Sequence, residues 1–136
     1  MAFEFTIDTQ TNVIRETWTG SVDISELYES CKQEWSHPDY RRNMSMLSDF
    51  RAAKIEITED ELKEFAQFMG NQEAVLRHAI IVGRESGFGL ARIFKLLSES
   101  TSPYWDSLRV FFDLKTGELW VKSGMPPHPS NANIAR

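Results

Sequence analysis

Apolar and polar residues alternate at the start of the chain, which is the pattern of a half-buried β-strand. Phe3, Phe5 and Ile7 fall on one face of this predicted strand, with polar residues between them. A turn-rich segment follows, and residues 13–19 are extended again. We therefore predict an N-terminal hairpin, which the Gly-Ser pair at 20–21 interrupts.

Further along, apolar residues recur at helical spacing and predict three helices. The first helix begins after Asp23, a favourable N-cap, and ends before Pro38. The second begins with the capping box of Thr58 and Glu61 and ends at Gly70, a favourable C-terminal cap. The third helix is predicted from the stripe Leu90, Ile93, Phe94 and Leu97.

Short apolar runs between the helical stripes predict strands at 44–48, 78–82 and 108–112. The run at 78–82 is continuous and β-branched, which is typical of a strand covered on both faces. This order of elements predicts an α/β domain. Its sheet is mixed and mostly parallel, with an N-terminal antiparallel hairpin strand and crossover helices.

The last element has two interpretations. Asp113 is a suitable cap for a short helix over residues 113–121, whereas the Thr-Gly pair at 116–117 is a suitable hairpin turn. We favour the helix. Residues 124–136 carry three prolines among small polar residues and are predicted to form a flexible tail, so the domain occupies residues 1–123.

Charge and cysteine content narrow the classes of function. The 136 residues include 20 acidic and 15 basic side chains, a net charge of −5, which disfavours binding to nucleic acids and to anionic membranes. A single cysteine, Cys31, excludes an internal disulfide. No apolar run is long enough to span a bilayer and no signal peptide is visible, so we expect a cytoplasmic protein without membrane insertion.

Three local features resemble a known family. The run Ala-Ile-Ile-Val at 79–82 precedes the turn and helix start at 87–94, and residues 109–111 lead into a last element that ends near Trp120. Together with the order of elements, they resemble the SpoIIAA-like family over residues 3–121. These are the STAS-type domains of bacterial anti-sigma-factor antagonists, related in architecture to CRAL-TRIO lipid-binding domains. The resemblance implies the same fold and a binding or regulatory role.

One departure from that family concerns regulation. The sporulation antagonists carry an Asp-Ser-Ser-Gly turn in which a serine is phosphorylated. Residues 48–54 of this chain are Ser-Asp-Phe-Arg-Ala-Ala-Lys, and no serine stands beside a glycine there. The phosphorylation switch is therefore not implied for this protein.

The glycine-bearing turn at 83–89 is the best candidate binding site. Ligands gather at the carboxyl ends of parallel strands, where a helix N-terminus offers free backbone N–H groups to an anion. The alternative, which we favour, is that Ser86 simply caps the following helix. Neither a nucleophile elbow nor a dinucleotide fingerprint is present, because Arg84 and Arg92 stand where glycines are needed. The candidate ligand-binding residues are Arg51, Arg84, Ser86, Gly87, Gly89 and Arg92.

Two other features have alternative interpretations. Asp49 and Arg51 follow a predicted strand, where they form either a ligand-reading pair or, as we favour, a surface ion pair. Tyr104 and Trp105 follow a proline in a predicted loop, where they form either an anchor for a partner or a cover over the core edge. If Tyr104 and Trp105 anchor a second copy of the chain, the protein is a homodimer, and we predict this state.

The histidines indicate no metal site. His37, His78 and His128 lack metal-ligand spacing, so we expect neither a metal nor a cofactor. A triad of Ser86, His78 and Asp49 is disfavoured because His78 begins a strand and Ser86 follows the end of that strand.

We therefore expect a non-enzymatic binding or regulatory module whose partner is a protein or a small anionic or lipidic ligand. The alternative is a carrier of such a ligand, and a small enzyme centred on Ser86 and Arg84 is least favoured. A deep apolar pocket would favour the carrier, a flat apolar patch the interaction module, and a cleft with perturbed titratable groups the enzyme.

Anion binding at the turn can be tested directly. A helix N-terminus stabilises one negative charge by only about 0.3–1 kcal/mol, so we predict binding of phosphate in the millimolar range. An NMR titration should then shift the amide signals of Ser86, Gly87 and Gly89. Signals that stay in place throughout the titration would leave the turn with a capping role alone.

Overall fold

The computed structural model describes residues 2–72, 75–83 and 108–123. The elements in these ranges are β1 (Ala2–Asp8), β2 (Val13–Val22), α1 (Ile24–Trp35), β3 (Met44–Ile55), α2 (Glu59–Gln72), β4 (Val75–Ile81), β5 (Leu108–Phe111) and α3 (Leu114–Ser123). The helix predicted over 90–97, Tyr104, Trp105 and the tail at 124–136 lie outside the described residues.

Within the described residues, the five strands form one sheet in the order β1-β2-β3-β4-β5. The β1 strand is antiparallel to β2, and each later strand is parallel to its neighbour. This arrangement confirms the predicted α/β class and the mixed, mostly parallel sheet. It also places α1 and α2 in the two connections that join β2 to β3 and β3 to β4.

The sheet buries apolar side chains on both faces. On one face, Trp18 stacks between Phe3 and Phe50, with ring centroids 4.4 and 5.4 Å away, and this layer packs against α1 and α2. On the other face, α3 packs on β3, β4 and β5. The buried residues of this second layer are Val13, Leu47, Ala79, Ile81, Phe111, Trp120 and Val121.

Helix starts follow the sequence closely. The Asp23 side chain accepts the backbone N–H of Glu26 at 3.0 Å, which confirms the predicted cap of α1. Thr58 and Glu61 form the predicted capping box, with reciprocal side-chain to backbone bonds of 2.9 and 3.2 Å. These caps depend on side chains only three residues apart, so the sequence reveals them.

Strand and helix ends differ from the predictions at several places, and β4 begins at Val75, so His78 lies inside this strand rather than at its start. Gly20 does not interrupt β2, which continues to Val22 with Gly20 at a φ of +73°. The β3 strand extends to Ile55, because it pairs with β2 along almost its whole length. Gly70 does not end α2, which continues to Gln72, since one helical glycine costs only about 1 kcal/mol.

The last element is the helix that the sequence analysis favoured. Asp113 caps it by accepting the backbone N–H of Thr116 at 3.0 Å. Trp120 of this helix is buried, whereas Leu119 is 59% exposed. Gly117 faces the sheet so closely that an added Cβ would lie 2.5 Å from Ile81 Cδ1.

We predict that Gly117→Val destabilises the protein by about 1–3 kcal/mol, because the added methyl groups would overpack the contact between α3 and the sheet. Urea unfolding measures the change. Lys115→Val is the matched control on an exposed position of the same helix and should cost only a few tenths of a kcal/mol. Equal effects of the two substitutions would contradict the close approach at Gly117.

Candidate functional site

Three neighbouring strands place polar side chains on the face of the sheet that α1 and α2 cover. Glu16 lies on β2, Ser48 on β3 and His78 on β4, and their exposed fractions are 5%, 0% and 6%. Each lies two residues from an apolar residue of the same core face, so strand alternation turns all three inward. Burial of polar groups requires hydrogen bonds, and these residues supply them to one another.

A chain of hydrogen bonds links the three side chains. Ser48 Oγ donates to Glu16 Oε1 at 2.5 Å, and Trp18 Nε1 donates to the same oxygen at 3.2 Å. His78 Nε2 lies 2.7 Å from Ser48 Oγ. Because the single hydroxyl hydrogen of Ser48 is directed to Glu16, Nε2 of His78 carries the hydrogen of the second bond.

His78 is neutral in this site. Burial lowers the pKa of its imidazole from 6.5 to about 4, and the nearby charge of Glu16 only partly opposes that effect. A neutral imidazole with its hydrogen on Nε2 has no hydrogen on Nδ1. His78 therefore has one N–H group, on Nε2, and this group donates its hydrogen bond to Ser48 Oγ.

A second carboxyl group lies behind Glu16. Glu34 projects from α1 and is completely buried, and within the described chain its two oxygens make no hydrogen bond of good geometry. Burial raises the pKa of Glu34 to about 12, with further contributions from the charge of Glu16 and from a side-chain interaction with it. Glu34 therefore holds its proton at neutral pH, as one of two carboxyl groups close together in a core usually does.

Cys31 completes the polar groups around this site and is not activated. Its Sγ donates to Met69 Sδ at 3.7 Å. Burial, followed by the charges of Glu16 and Glu34, raises the pKa of the Cys31 thiol. A thiol that stays protonated is a poor nucleophile and a poor metal ligand.

The polar row forms the floor of a cavity of about 60 Å³ between the sheet and the two helices. Apart from the floor, almost all of its walls are apolar. The apolar residues that line it are Trp18, Leu27, Met46, Phe50, Ile55, Ile57, Leu62, Phe65, Ala66, Met69, Ile80 and Leu108.

A second, more polar cavity of about 230 Å³ lies on the opposite face of the sheet. Its lining includes Arg15, Thr17 and Asp49. Arg15 forms an ion pair with Glu118 at 2.9 Å. The described residues that line this cavity form no chain of buried side-chain hydrogen bonds like that of the inner site.

The sequence-predicted site is only partly within the described residues. Arg51 lies inside β3 rather than after the strand, because β3 is longer than predicted. Its guanidinium forms two bonds to Asp49, at 2.9 and 2.8 Å, and is 46% exposed, which confirms the favoured surface ion pair. The other five candidates, Arg84, Ser86, Gly87, Gly89 and Arg92, lie outside the described residues.

The inner site was not predicted from the sequence. His78 was considered only as a metal ligand or a triad member, and neither Glu16 nor Glu34 was singled out. A signal was present, because Glu16 lies in phase with Ile14 and Trp18 on a strand that alternates between core and surface.

The side chains of the site match neither a metal centre nor a hydrolase triad. Among the described residues, no group of three His, Cys, Asp or Glu side chains is placed to hold a metal ion. In the chain of hydrogen bonds, Ser48 lies between Glu16 and His78. In a hydrolase triad the histidine takes the middle position, so that it can remove the serine proton.

Comparison with known proteins does not identify the chain: no family model matches it, and no curated protein is similar to it. In the parts of the chain that the structure describes, no helix is long and apolar enough to cross a membrane.

The protonated Glu34 predicts a specific dependence of stability on pH. Its pKa is raised in the folded state, so its stabilising contribution is complete below about pH 4.5, the pKa in the unfolded chain, and decreases as the pH rises above that value. His78 has the opposite effect between about pH 4 and 6.5, because its pKa is lowered. The two effects therefore oppose each other there, and Glu34 dominates at higher pH.

We predict that Glu34→Gln gains stability relative to the unmodified protein as the pH increases from 5 to 9, because Gln has no proton to lose in the unfolded state. Urea unfolding at pH 5, 7 and 9 measures the difference. Glu29→Gln, on the exposed face of α1, is the matched control and should show no widening gap. A difference for Glu34→Gln that is constant across this range would contradict a buried, protonated Glu34.

Proposed function

We propose that this protein is a non-enzymatic binding module that holds a small, mainly apolar molecule in the cavity between the sheet and helices α1 and α2. The observation that supports this proposal is the combination of almost entirely apolar walls with one buried polar row, Glu16, Ser48 and His78. Small-molecule sites commonly have this composition, in which apolar walls supply affinity and a few polar groups fix orientation.

The composition of the cavity favours the carrier over the other expected classes. Of the two expected ligand classes, it favours the lipidic one, because the charge of Glu16 at the floor would oppose an anion. The cavity is small, but Met46 and Met69 line it, and flexible methionine side chains adapt readily to a ligand.

Catalysis is less well supported. Ser48 is completely buried in the middle of a strand, and its hydrogen is directed to a carboxylate rather than to a histidine. Cys31 is held as a thiol. Glu16, Ser48 and His78 are thus arranged to satisfy one another, which favours binding over reaction.

The family resemblance forms part of the same proposal. The observed strand order, with helices between parallel strands, is compatible with a SpoIIAA-like domain related to CRAL-TRIO carriers. Two expectations stay predictions. The homodimer rests on Tyr104 and Trp105, which lie outside the described residues, and the cytoplasmic location rests on the sequence alone.

We predict that Ala66→Leu abolishes binding, because Ala66 lines the cavity and a larger side chain would fill it. Xenon occupies apolar cavities and serves as the probe. In protein labelled with ¹³C on the methionine methyl groups, xenon should shift the signals of Met46 and Met69. Native mass spectrometry of the purified protein should also detect a retained small molecule.

The matched control is Ala52→Leu, the same substitution at an exposed position of β3. It should leave both the xenon response and the retained mass unchanged, whereas Ala66→Leu should lose both. An absence of xenon shifts at Met46 and Met69 in the unmodified protein would contradict the proposed function.

A further inference from the structure

The hydrogen atoms of the cavity floor are all committed to partners within the protein. Trp18 and Ser48 direct theirs to Glu16 Oε1, and His78 Nε2 directs its own to Ser48. Of the polar groups that α1 contributes, the two that line the cavity are committed in the same way, since Ser30 Oγ donates to the carbonyl of Leu27 at 2.7 Å and Cys31 Sγ donates to Met69.

What remains at the floor is capacity to accept hydrogen bonds. A carboxylate offers about four acceptor positions on its two oxygens, and the bonds that Trp18 and Ser48 donate to Glu16 occupy two of them, both on Oε1. Behind Glu16, the Glu34 carboxyl, which holds its proton, interacts with the Glu16 side chain and adds no cation. Among the described residues that line the cavity, none is Lys or Arg.

We infer that the polar end of the ligand is a hydrogen-bond donor without negative charge, an alcohol or an ammonium group, which Glu16 accepts at the floor of the cavity. A carboxylate or phosphate there would meet acceptors only and would leave buried oxygens without partners, which is costly. This inference rests on the proposed function, because it describes the ligand of that same cavity.

The walls place a second requirement on the ligand. Because they are apolar and the cavity is about 60 Å³, the remainder of the molecule near the floor must be a short hydrocarbon segment. A donor at one end of a small apolar chain is therefore the chemistry that fits both the floor and the walls.

Three probes of equal chain length test the inference: 1-propanol, propylammonium chloride and sodium propionate, each titrated at pH 7 against a sodium chloride control. The methyl signals of Met46 and Met69 report binding, and Met44, which is buried but outside the cavity lining, is the internal control. We expect propanol or propylammonium to bind at least about tenfold more tightly than propionate. If propanol binds more tightly than propylammonium, the polar end of the ligand is a neutral alcohol. If propylammonium binds more tightly, the polar end is a cation.

Two variants should change this preference. Glu16→Gln brings donor hydrogens to the floor, and Ser48→Ala releases the Nε2 hydrogen of His78, so each should reduce the discrimination against propionate to less than about threefold. Glu4→Gln, on the exposed face of β1, is the matched control and should retain full discrimination. If the Glu16→Gln protein does not fold, the Ser48→Ala protein alone tests the loss of discrimination.

The possible failures are distinguishable. If propionate binds to the unmodified protein within about threefold of the better donor, the inference about the ligand is overturned while binding in the cavity stands. If no probe, including xenon, shifts Met46 and Met69, the proposed function fails and the inference fails with it.

Discussion

A buried carboxylate must obtain hydrogen-bond donors from its surroundings, and this requirement links the central strands of the sheet. Glu16 on β2 takes one hydrogen from Ser48 on β3, and Ser48 in turn takes one from His78 on β4. A slip of one residue in either pairing would turn a polar side chain to the opposite face and leave its partner buried without a bond. The hydrogen-bonded row therefore specifies the register of three parallel strands.

Much of the fold was predictable because it depends on local signals. The caps at Asp23 and Asp113 and the capping box of Thr58 with Glu61 use side chains within one helical turn, and all three are present. Strand lengths were not predictable in the same way. Gly20 interrupts the local pattern of β2, yet the strand continues because backbone pairing with β3 outweighs its weak propensity.

The candidate site shows where sequence reasoning stops. Glu16, Ser48 and His78 each stand in phase with core residues, so a polar residue facing inward could be recognised on each strand separately. The three side chains meet only because strands 30 or more residues apart in sequence pair with each other. No local sequence pattern encodes that pairing. The local pattern points instead to the glycine-bearing turn at 83–89, whose residues from Arg84 onward lie outside the described part of the chain.

The two sides of the cavity differ in rigidity, and this difference bears on what it can select. Its floor belongs to hydrogen-bonded strands, where Glu16 Oε1 is held by two donors and cannot turn without leaving them unpaired. Its opposite wall includes Met69 and Phe65 on α2, and a methionine side chain can adopt other rotamers at little cost. A floor that is fixed in position and chemistry discriminates strictly between polar groups, whereas an adaptable apolar wall discriminates weakly between hydrocarbon shapes. Specificity for the polar end of a ligand, combined with tolerance of its apolar part, therefore follows from which layer of the fold supplies each side of the cavity.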